Sequence, residues 1–243
     1  MFQNLKRLVT RPLVPLALAA LVAVPVAGWL SQSSAAEPPV AIPAPVVDEP
    51  AGNGLETAIF AGGCFWGVQG VFQHVAGVES AISGYAGGTL KNPSYEDVTT
   101  ETTGHAESVK VTFDPKKVTY GKLLQIFFSV VHNPTQLNYQ GPDHGPSYRS
   151  ALFVMNDAQK KVAEAYIAQL DAAKVFPARI VTEVTPYTNF YQAEDYHQDA
   201  TTTISINPGY ITYNDLPKIE NLRKMFPEVW QEKAKLVFAS NAS

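Results

Sequence analysis

The chain contains a single cysteine, Cys64, and its surroundings are those expected of a reactive thiol. Paired glycines, Gly62 and Gly63, precede it at the end of an apolar strand-like run. The spacing of the apolar residues that follow predicts a helix that begins at or just after Cys64. A thiol at a helix N-terminus faces unpaired N–H groups and the positive end of the helix dipole, which favour the nucleophilic thiolate. The alternative is that Cys64 is a small buried hydrophobe, the common fate of a lone cysteine.

Two aromatic residues, Phe65 and Trp66, follow the cysteine directly. Consecutive residues of a helix point about 100° apart, so both side chains cannot enter the same core face. We therefore expect one of them to pack in the core and the other to line an apolar pocket beside the sulfur.

Glu107 is the acidic residue whose position is most informative. It shares one face of a predicted strand with Val109, Val111 and Phe113, because side chains at every second position of a strand lie on the same face. A carboxyl group on a buried face loses hydration, which raises its pKa and makes it a proton donor near neutral pH. The alternative is a glutamate at the strand end that turns to solvent.

Other polar residues are less distinctive. Tyr95 and Tyr148 lie in loops rich in glycine and proline, where tyrosine hydroxyls either bind ligands or cover a surface. Four histidines show no metal-ligand spacing, although a Cys–His pair of the hydrolase type remains open because such partners can be distant in sequence: His105, His132, His144 and His197.

The N-terminal 36 residues have the order of an export signal. A basic stretch is followed by an uncharged apolar run at residues 13–30 and by small residues at Ser34 and Ala36. The apolar run is also just long enough to span a bilayer. We expect the protein to be periplasmic or secreted, or anchored to the inner membrane by residues 13–30 if the signal is retained.

The rest of the chain is expected to form one domain. Five prolines make residues 37–54 an extended linker with nothing to pack in a core, residues 55–230 have the length of one domain, and residues 231–243 form a C-terminal tail. The net charge of −4 and the lack of a basic patch argue against nucleic-acid binding. Strands and helices interleave without a strict βαβ rhythm, which predicts an α+β fold in two layers.

Five sequence blocks resemble the A class of peptide methionine sulfoxide reductases, in order and over residues 56–210: GGCFWGVQ, SGYAGG, TTGHAESVKVTFDP, QGPDHGPSYRS and FYQAEDYHQ. The resemblance implies a two-layer sandwich around a mixed central sheet, with the catalytic cysteine at the N-terminus of the first domain helix. It implies reduction of the S epimer of methionine sulfoxide, and so repair of oxidised proteins, without a metal or organic cofactor.

The same resemblance implies a role for individual residues. Cys64 matches the nucleophile and Glu107 the acid. The remaining matches are a methyl-binding pocket, two hydroxyls for the sulfoxide oxygen and a supporting polar residue: Phe65 and Trp66, Tyr95 and Tyr148, and Asp143. His197 lies in a shared block and is expected to support the site only indirectly.

This chain departs from the family pattern at its C-terminal end, which lacks the further cysteines that resolve a sulfenic acid in many members. A sulfenic acid on Cys64 must then be reduced by an external thiol, from a thioredoxin-like protein or a small molecule. The expected substrates are oxidised methionines in proteins or free methionine sulfoxide. Membrane contact is expected only through an uncleaved N-terminal anchor.

Two alternatives to the reductase make different predictions. A Cys–His hydrolase or acyltransferase requires a histidine within hydrogen-bond reach of Cys64. An exported binding domain that senses peroxide would form a sulfenic acid on Cys64 but reduce no sulfoxide.

Overall fold

The computed structural model describes residues 36–238. Apart from Ala36, the predicted export signal or anchor therefore lies outside the described residues. Within the described range, no helix is both long enough and apolar enough to cross a membrane.

A six-stranded mixed sheet forms the centre of the domain, in the order β7-β6-β1-β3-β2-β8. Only the pair β6–β7 is parallel, and the other neighbours are antiparallel. The six strands are β1 (Glu56–Gly62), β2 (Val78–Ala86), β3 (Ala106–Phe113), β6 (Ser150–Val154), β7 (Glu183–Pro186) and β8 (Phe190–Gln192). A separate short ribbon consists of β4 (Tyr139–Gln140) and β5 (Asp143–His144).

The helices pack on one face of this sheet and share one core with it. They are α1 (Phe65–Gln73), α2 (Tyr95–Val98), α3 (Tyr120–Ile126), α4 (Asp157–Ala173), α5 (Ala200–Thr203), α6 (Pro208–Tyr210) and α7 (Leu216–Met225). Because side chains alternate along β1, Phe60 faces the helices and stacks on Phe72 of α1 at 4.6 Å between ring centroids. Ile59 and Ala61 belong to a smaller apolar cluster on the opposite face. The predicted α+β sandwich with a mixed sheet is confirmed.

Local hydrogen bonding departs from the sequence pattern in two elements. The apolar run YGKLLQIFFSVVH, residues 120–132, predicts one helix, but residues Phe127–Val131 form a π-helical turn. The run ARIVTEVTP, residues 178–186, predicts a strand, but the strand starts only at Glu183. The amides of Ile180 and Val181 bond instead to the side chain of Asp171 and the carbonyl of Pro134, at 3.0 and 2.8 Å.

The proline-rich segment is extended, as expected, but it is docked on the domain. We call residues 37–49 the N-terminal strap. Ile42 packs against the core, so the expectation that nothing in this segment would pack is wrong. An extended proline-rich backbone has no internal hydrogen bonds, so its carbonyls are free to accept bonds from the domain. The donors are the side chains of Gln125, Ser129, Tyr166 and Gln169.

Buried amides fix the position of α1 against the segment that follows β8. Gln69 donates to Gln198 at 2.7 Å, and Gln73 donates to Asp199 at 2.7 Å. Buried polar groups that bond one another hold a unique arrangement. The helix that begins beside Cys64 is therefore fixed relative to the block that contains His197.

Candidate active site

Cys64 occupies the turn between the central strand β1 and helix α1, as predicted. It is the N-terminal cap residue of α1, and its side chain is buried, with 8% of the residue exposed. Gly63 allows this turn because its φ is +85°, a conformation that disfavours side chains. A Cβ atom at Gly63 would also lie 2.6 Å from the Cβ of Gln140.

The expected stabilisation of the thiolate is wrong for the resting enzyme. Burial raises the pKa of the Cys64 thiol well above its usual value, and the charges of Glu107, Asp215 and Asp143 raise it further. The backbone N–H of Trp66, at the start of α1, lowers this pKa but does not outweigh burial. Burial cannot be read from the local pattern, and it decides the protonation state here: Cys64 rests as a thiol.

Glu107 lies on the buried face of β3, as the alternation predicted, and 3% of the residue is exposed. Burial raises the pKa of its carboxyl to about 8, although the N–H of Phe65 donates to Oε2 at 3.0 Å and lowers it in part. Glu107 is thus protonated at neutral pH and can donate a proton. The alternative of a solvent-facing glutamate is excluded.

One cavity of about 150 Å³ brings together all seven site residues that the sequence predicted. Its lining consists of Cys64, Phe65, Trp66, Tyr95, Glu107, Asp143 and Tyr148, with Asn207 and Tyr210 in addition. These residues come from α1, α2, β3, β5 and the loops after them, so the sheet and helices assemble one site from distant parts of the chain.

The two aromatic residues after Cys64 both line this cavity and both belong to the core cluster. The division into one core residue and one pocket residue is therefore wrong, because the cavity is cut into the edge of the core. His197 supports both rings: its Nδ1 accepts from the Trp66 indole at 3.1 Å, and its ring lies 5.1 Å from that of Phe65. As expected, His197 acts on the site only through its neighbours.

Two glutamates that the sequence interpretation did not single out position the tyrosines. Glu194 accepts from the backbone N–H of Tyr95 at 2.8 Å and from the hydroxyl of Tyr85 at 2.8 Å. Glu101 accepts from the N–H and hydroxyl of Ser147, the residue before Tyr148. Burial raises the pKa of Tyr95 to about 12, so its hydroxyl keeps its proton and remains a donor.

Tyr210 is a lining residue that sequence reasoning missed. Its hydroxyl donates to the carboxylate of Asp143, whose pKa is raised by burial. Tyr210 also meets Trp66 edge-on, with ring centroids 5.8 Å apart. The only signal in the sequence was its place in NPGY, where a glycine and a proline interrupt the apolar pattern.

A second opening with a volume of about 20 Å³ is also lined by Cys64. Its lining shares Cys64, Asp143 and Tyr210 with the larger cavity. The other lining residues come from Ala36 and the start of the strap, the π-helical turn and the residue after it, the β4–β5 ribbon, a second π-helical turn at Ile211–Asp215, and α7: Ala36, Glu37, Val131, His132, Gln140, Gly141, Pro142, Asn214 and Lys218. We call this opening the slot.

The histidines do not supply a partner for the thiol. Among residues 36–238 no histidine is hydrogen-bonded to Cys64. His132, which lines the slot, bonds to Ser150 Oγ at 2.7 Å and to the carbonyl of Phe127 at 3.3 Å. Burial lowers its pKa to about 3, so it is a poor base. This arrangement argues against a Cys–His hydrolase.

A larger depression of about 470 Å³ lies at the C-terminal end of α4, lined by Lys174, Phe176 and Arg179 among others. Its lining contains no thiol, hydroxyl or imidazole side chain, whereas the smaller cavity combines the Cys64 thiol with the buried Glu107 carboxyl, so the smaller cavity is the candidate active site. In the part of the chain that the structure describes, no three His, Cys, Asp or Glu side chains form a metal-binding group.

Comparisons with known proteins identify the family to which the chain belongs. Residues 56–230 match the family model for peptide methionine sulfoxide reductase. A protein named peptide methionine sulfoxide reductase MsrA 2 from Mesorhizobium japonicum is 60% identical over 80% of this chain and all of its own length. The MsrA of Pasteurella multocida is 49% identical over 72% of this chain and 99% of its own length.

Solved structures show the same fold. Methionine sulfoxide reductase A of Corynebacterium diphtheriae is 32% identical, with a TM-score of 0.55 over 74% of this chain and 91% of that one. Mxr1 of Saccharomyces cerevisiae in its reduced form is 31% identical, with a TM-score of 0.56 over 67% of this chain and 91% of that one. Since the family model spans nearly the whole described domain and the relatives are covered almost end to end, the chain belongs to the peptide methionine sulfoxide reductases of the A class, oxidoreductases that reduce methionine sulfoxide.

Proposed function

We propose that this enzyme reduces the S epimer of methionine sulfoxide, in proteins or as the free amino acid, with Cys64 as nucleophile and Glu107 as proton donor. One observation carries the proposal: the only thiol of the chain and a buried carboxyl with a pKa of about 8 line the same cavity. A neutral acid beside a sulfur nucleophile is the combination that a sulfoxide requires, because its oxygen is a poor leaving group until it is protonated.

Activation begins at the sulfoxide oxygen. Glu107 donates a proton to this oxygen, and the hydroxyls of Tyr95 and Tyr148 donate hydrogen bonds to it. Both hydroxyls keep their protons at neutral pH because burial raises their pKa values. The substrate sulfur then becomes electrophilic.

Cys64 attacks that sulfur after its proton passes to the carboxylate that Glu107 has become. A neutral resting thiol is consistent with this order, since the acceptor for its proton forms only when substrate is present. The attack forms a bond between the two sulfurs, and this bond breaks as the hydroxyl group moves from the substrate sulfur to the sulfur of Cys64, so methionine leaves and a sulfenic acid remains. The substrate sulfur gains two electrons and Cys64 loses two, and Glu107 ends the step protonated again.

The selectivity for one epimer follows from three fixed contacts. The methyl group of the sulfoxide packs against Phe65 and Trp66, the sulfoxide oxygen points toward Glu107, and the rest of the substrate extends out through the cavity mouth. In the opposite epimer two of these three groups are exchanged. The oxygen would then lie against the aromatic rings without a donor, which is costly in a buried site.

The cycle is completed by an external thiol, because the chain has no second cysteine to form an intramolecular disulfide. We further infer from residues 1–36 that the enzyme is exported and acts on oxidised proteins outside the cytoplasm.

The decisive experiment offers the purified protein a peptide with racemic methionine sulfoxide and dithiothreitol. Loss of one epimer only is expected, and Cys64→Ser should lose this activity because serine cannot become a sulfenic acid. The substitution Ser205→Ala, at an exposed serine, is the control. Failure to reduce either epimer would overturn the proposal.

A second measurement addresses the intermediate. After one turnover without reductant, mass spectrometry should find one additional oxygen on Cys64 and no intramolecular disulfide. Peroxide alone would produce the same mass if Cys64 were only a sensor, so the amount of methionine formed must equal the amount of oxygen gained.

A further inference from the structure

The sulfur of Cys64 lines two openings, and the proposed chemistry uses only one of them. The larger cavity contains Glu107, Tyr95 and Tyr148, which are the groups for the sulfoxide oxygen. The slot contains none of these three. The bonded pair Asp143 and Tyr210 lines both openings and therefore lies between them.

Thiol chemistry requires an approach from a second direction. A thiolate that reduces a sulfenic acid attacks the sulfur and expels its oxygen as water, and such a displacement proceeds roughly in line with the breaking S–O bond. The oxygen comes from the substrate, so it lies in the larger cavity near Glu107. The attacking sulfur must then come from the side away from that cavity, and nine of the twelve residues that line the slot are not shared with the larger cavity.

The slot is smaller than the larger cavity. Its volume of about 20 Å³ exceeds the roughly 10–15 Å³ that one water molecule needs, but only slightly. The larger cavity, to which we assign methionine sulfoxide, has a volume of about 150 Å³. A thiol needs less space at its sulfur than a thioether does, because a thiol sulfur has one carbon substituent and a thioether sulfur has two.

Lys218 supplies a positive charge to the slot. Its side chain is only 11% exposed, and its ammonium group lies 3.7 Å from Asp215 Oδ1. Among the described residues, neither carboxylate oxygen of Asp215 has a hydrogen-bond partner, although Asp215 is fully buried. A buried carboxylate without hydrogen bonds is costly and indicates a functional arrangement rather than a stabilising one.

Gly67, the last glycine of the block GGCFWGVQ, leaves space for Asp215 and Lys218. A Cβ atom at Gly67 would lie 2.4 Å from Asp215 Oδ1 and 3.1 Å from Lys218 Cδ. Helix α1 therefore presents backbone without a side chain to these two residues. Asp215, directly before α7, and Lys218 of α7 can thus lie close to the start of α1, which follows Cys64.

We propose that the slot is the entrance for the thiolate that reduces the Cys64 sulfenic acid, and that Lys218, held by Asp215, stabilises the attacking sulfur. This inference rests on the proposed function. One thiol and the sulfenic acid give a mixed disulfide and water, with Glu107 as the proton source for the leaving oxygen. A second thiol then breaks the mixed disulfide, which returns Cys64 as a thiol and releases the oxidised reductant as a disulfide.

The charge is tested with Lys218→Met, in two half-reactions measured separately. The single turnover that forms methionine without reductant should keep its rate and amplitude. The second-order rate of sulfenic acid reduction by 2-mercaptoethanol, and by thioredoxin, should fall about tenfold, because the attacking thiolate loses its stabilising charge. Lys218→Arg should restore most of the rate, and Lys224→Met, an exposed lysine of the same helix, should have no effect.

A second variant separates the loss of the Lys218 charge from a folding defect caused by leaving Asp215 buried and unpaired. Lys218→Met combined with Asp215→Asn removes both charges of the buried pair, and it should show the same selective loss. If Lys218→Met slows both half-reactions equally, Lys218 is only structural. If it slows neither, the proposed role of its charge is wrong.

The entrance itself is tested by narrowing it with Pro142→Trp, an exposed residue of the slot. Reduction by thioredoxin should slow more than reduction by 2-mercaptoethanol if the natural reductant is a protein, and both should slow equally if access is limited for any thiol. Pro177→Trp, in the depression at the end of α4, is the control. If Pro142→Trp leaves the rates of sulfenic acid reduction by both thiols unchanged, the slot is not the entrance for the reducing thiol. A wild-type enzyme that forms no methionine would instead overturn the proposed function.

Discussion

At the scale of single residues, the site depends on two groups that are both neutral at rest. Burial raises the pKa of the Cys64 thiol, and it raises the pKa of Glu107 to about 8. A free thiolate in an exposed site would react with any oxidant. In the proposed mechanism, the buried thiol is deprotonated only when Glu107 has given its proton to a substrate, so it would be reactive toward sulfoxides and protected otherwise.

Glu107→Gln should lower the rate of methionine formation in a single turnover by about 10²- to 10³-fold, because the amide cannot donate an acidic proton. In the wild-type enzyme this rate should be high below pH 8 and fall above it, as Glu107 loses its proton. The measurement is rapid-quench methionine release between pH 6 and 10.

The matched control is Glu164→Gln, an exposed glutamate on α4, which should retain the wild-type rate and pH profile. Full activity of Glu107→Gln across neutral pH would contradict the proton-donor role.

At the scale of elements, the register of the sheet brings acid and nucleophile together. Phe60 of β1 pairs with Val109 of β3, so the ends of these strands that carry Cys64 and Glu107 lie side by side. The N–H of Phe65, the first residue of α1, donates to Glu107 and connects the helix to the strand directly. The site thus lies at one end of the central strand pair β1–β3.

The N-terminal strap contributes to this positioning through Asp48. Its carboxylate accepts from the hydroxyl of Thr119 at 2.5 Å and from the N–H of Gly121 at 2.9 Å, at the start of α3. Negative charge at a helix N-terminus is stabilising. We expect Asp48→Ala to lower the free energy of unfolding by about 1 kcal/mol, as the loss of a helix cap does.

Urea denaturation measures this change, with Glu164→Ala, at an exposed carboxylate in the middle of α4, as a control. An Asp48→Ala variant as stable as the wild type would mean that the strap is not held by this contact in solution.

Much of this architecture could be predicted from local pattern. The apolar run of β1 and the alternation along β3 are short-range signals, and each lies where expected. The raised pKa of Glu107 followed from its face of the strand. By contrast, the thiol protonation of Cys64 and the docking of the strap depend on burial by distant residues, which no local window contains.

The tail was hardest to predict. Tyr210, Asp215 and Lys218 lie in short helical and π-helical turns without clear periodicity, and their contacts are made with α1 and β5. Residues 204–226 contain no cysteine, so the only conclusion drawn from this segment of the sequence was that it supplies no resolving thiol. In the folded protein it lines both openings to the sulfur.

At the scale of the whole molecule, the buried acid makes folding depend on pH. The pKa of Glu107 rises from 4.5 to about 8 on folding, so the folded state binds more protons between these values. Stability from the protonated carboxyl is complete below pH 4.5 and is lost as the pH rises toward 8. His132 acts in the opposite sense, because its lowered pKa costs stability as the pH falls below 6.5.

Between pH 6.5 and 8, the free energy of unfolding of the wild type should therefore fall relative to that of Glu107→Gln. The expected slope is up to about 1.4 kcal/mol per pH unit, the value for one proton. Chemical denaturation of both proteins across this range measures the difference. A constant difference would show that Glu107 is already ionised in the folded state.

The order of strands in the sheet also has a consequence for the newly made chain. Strand β1, which ends two residues before Cys64, finds its partners only in β3 and β6, and β6 begins at Ser150. Such non-local pairing is slow to form. Until the later strands have been made and paired, the cysteine has no pocket around it. The thiol that is protected in the finished enzyme is thus open to oxidants during its own synthesis, and with no second cysteine in the chain it can be captured only by another molecule.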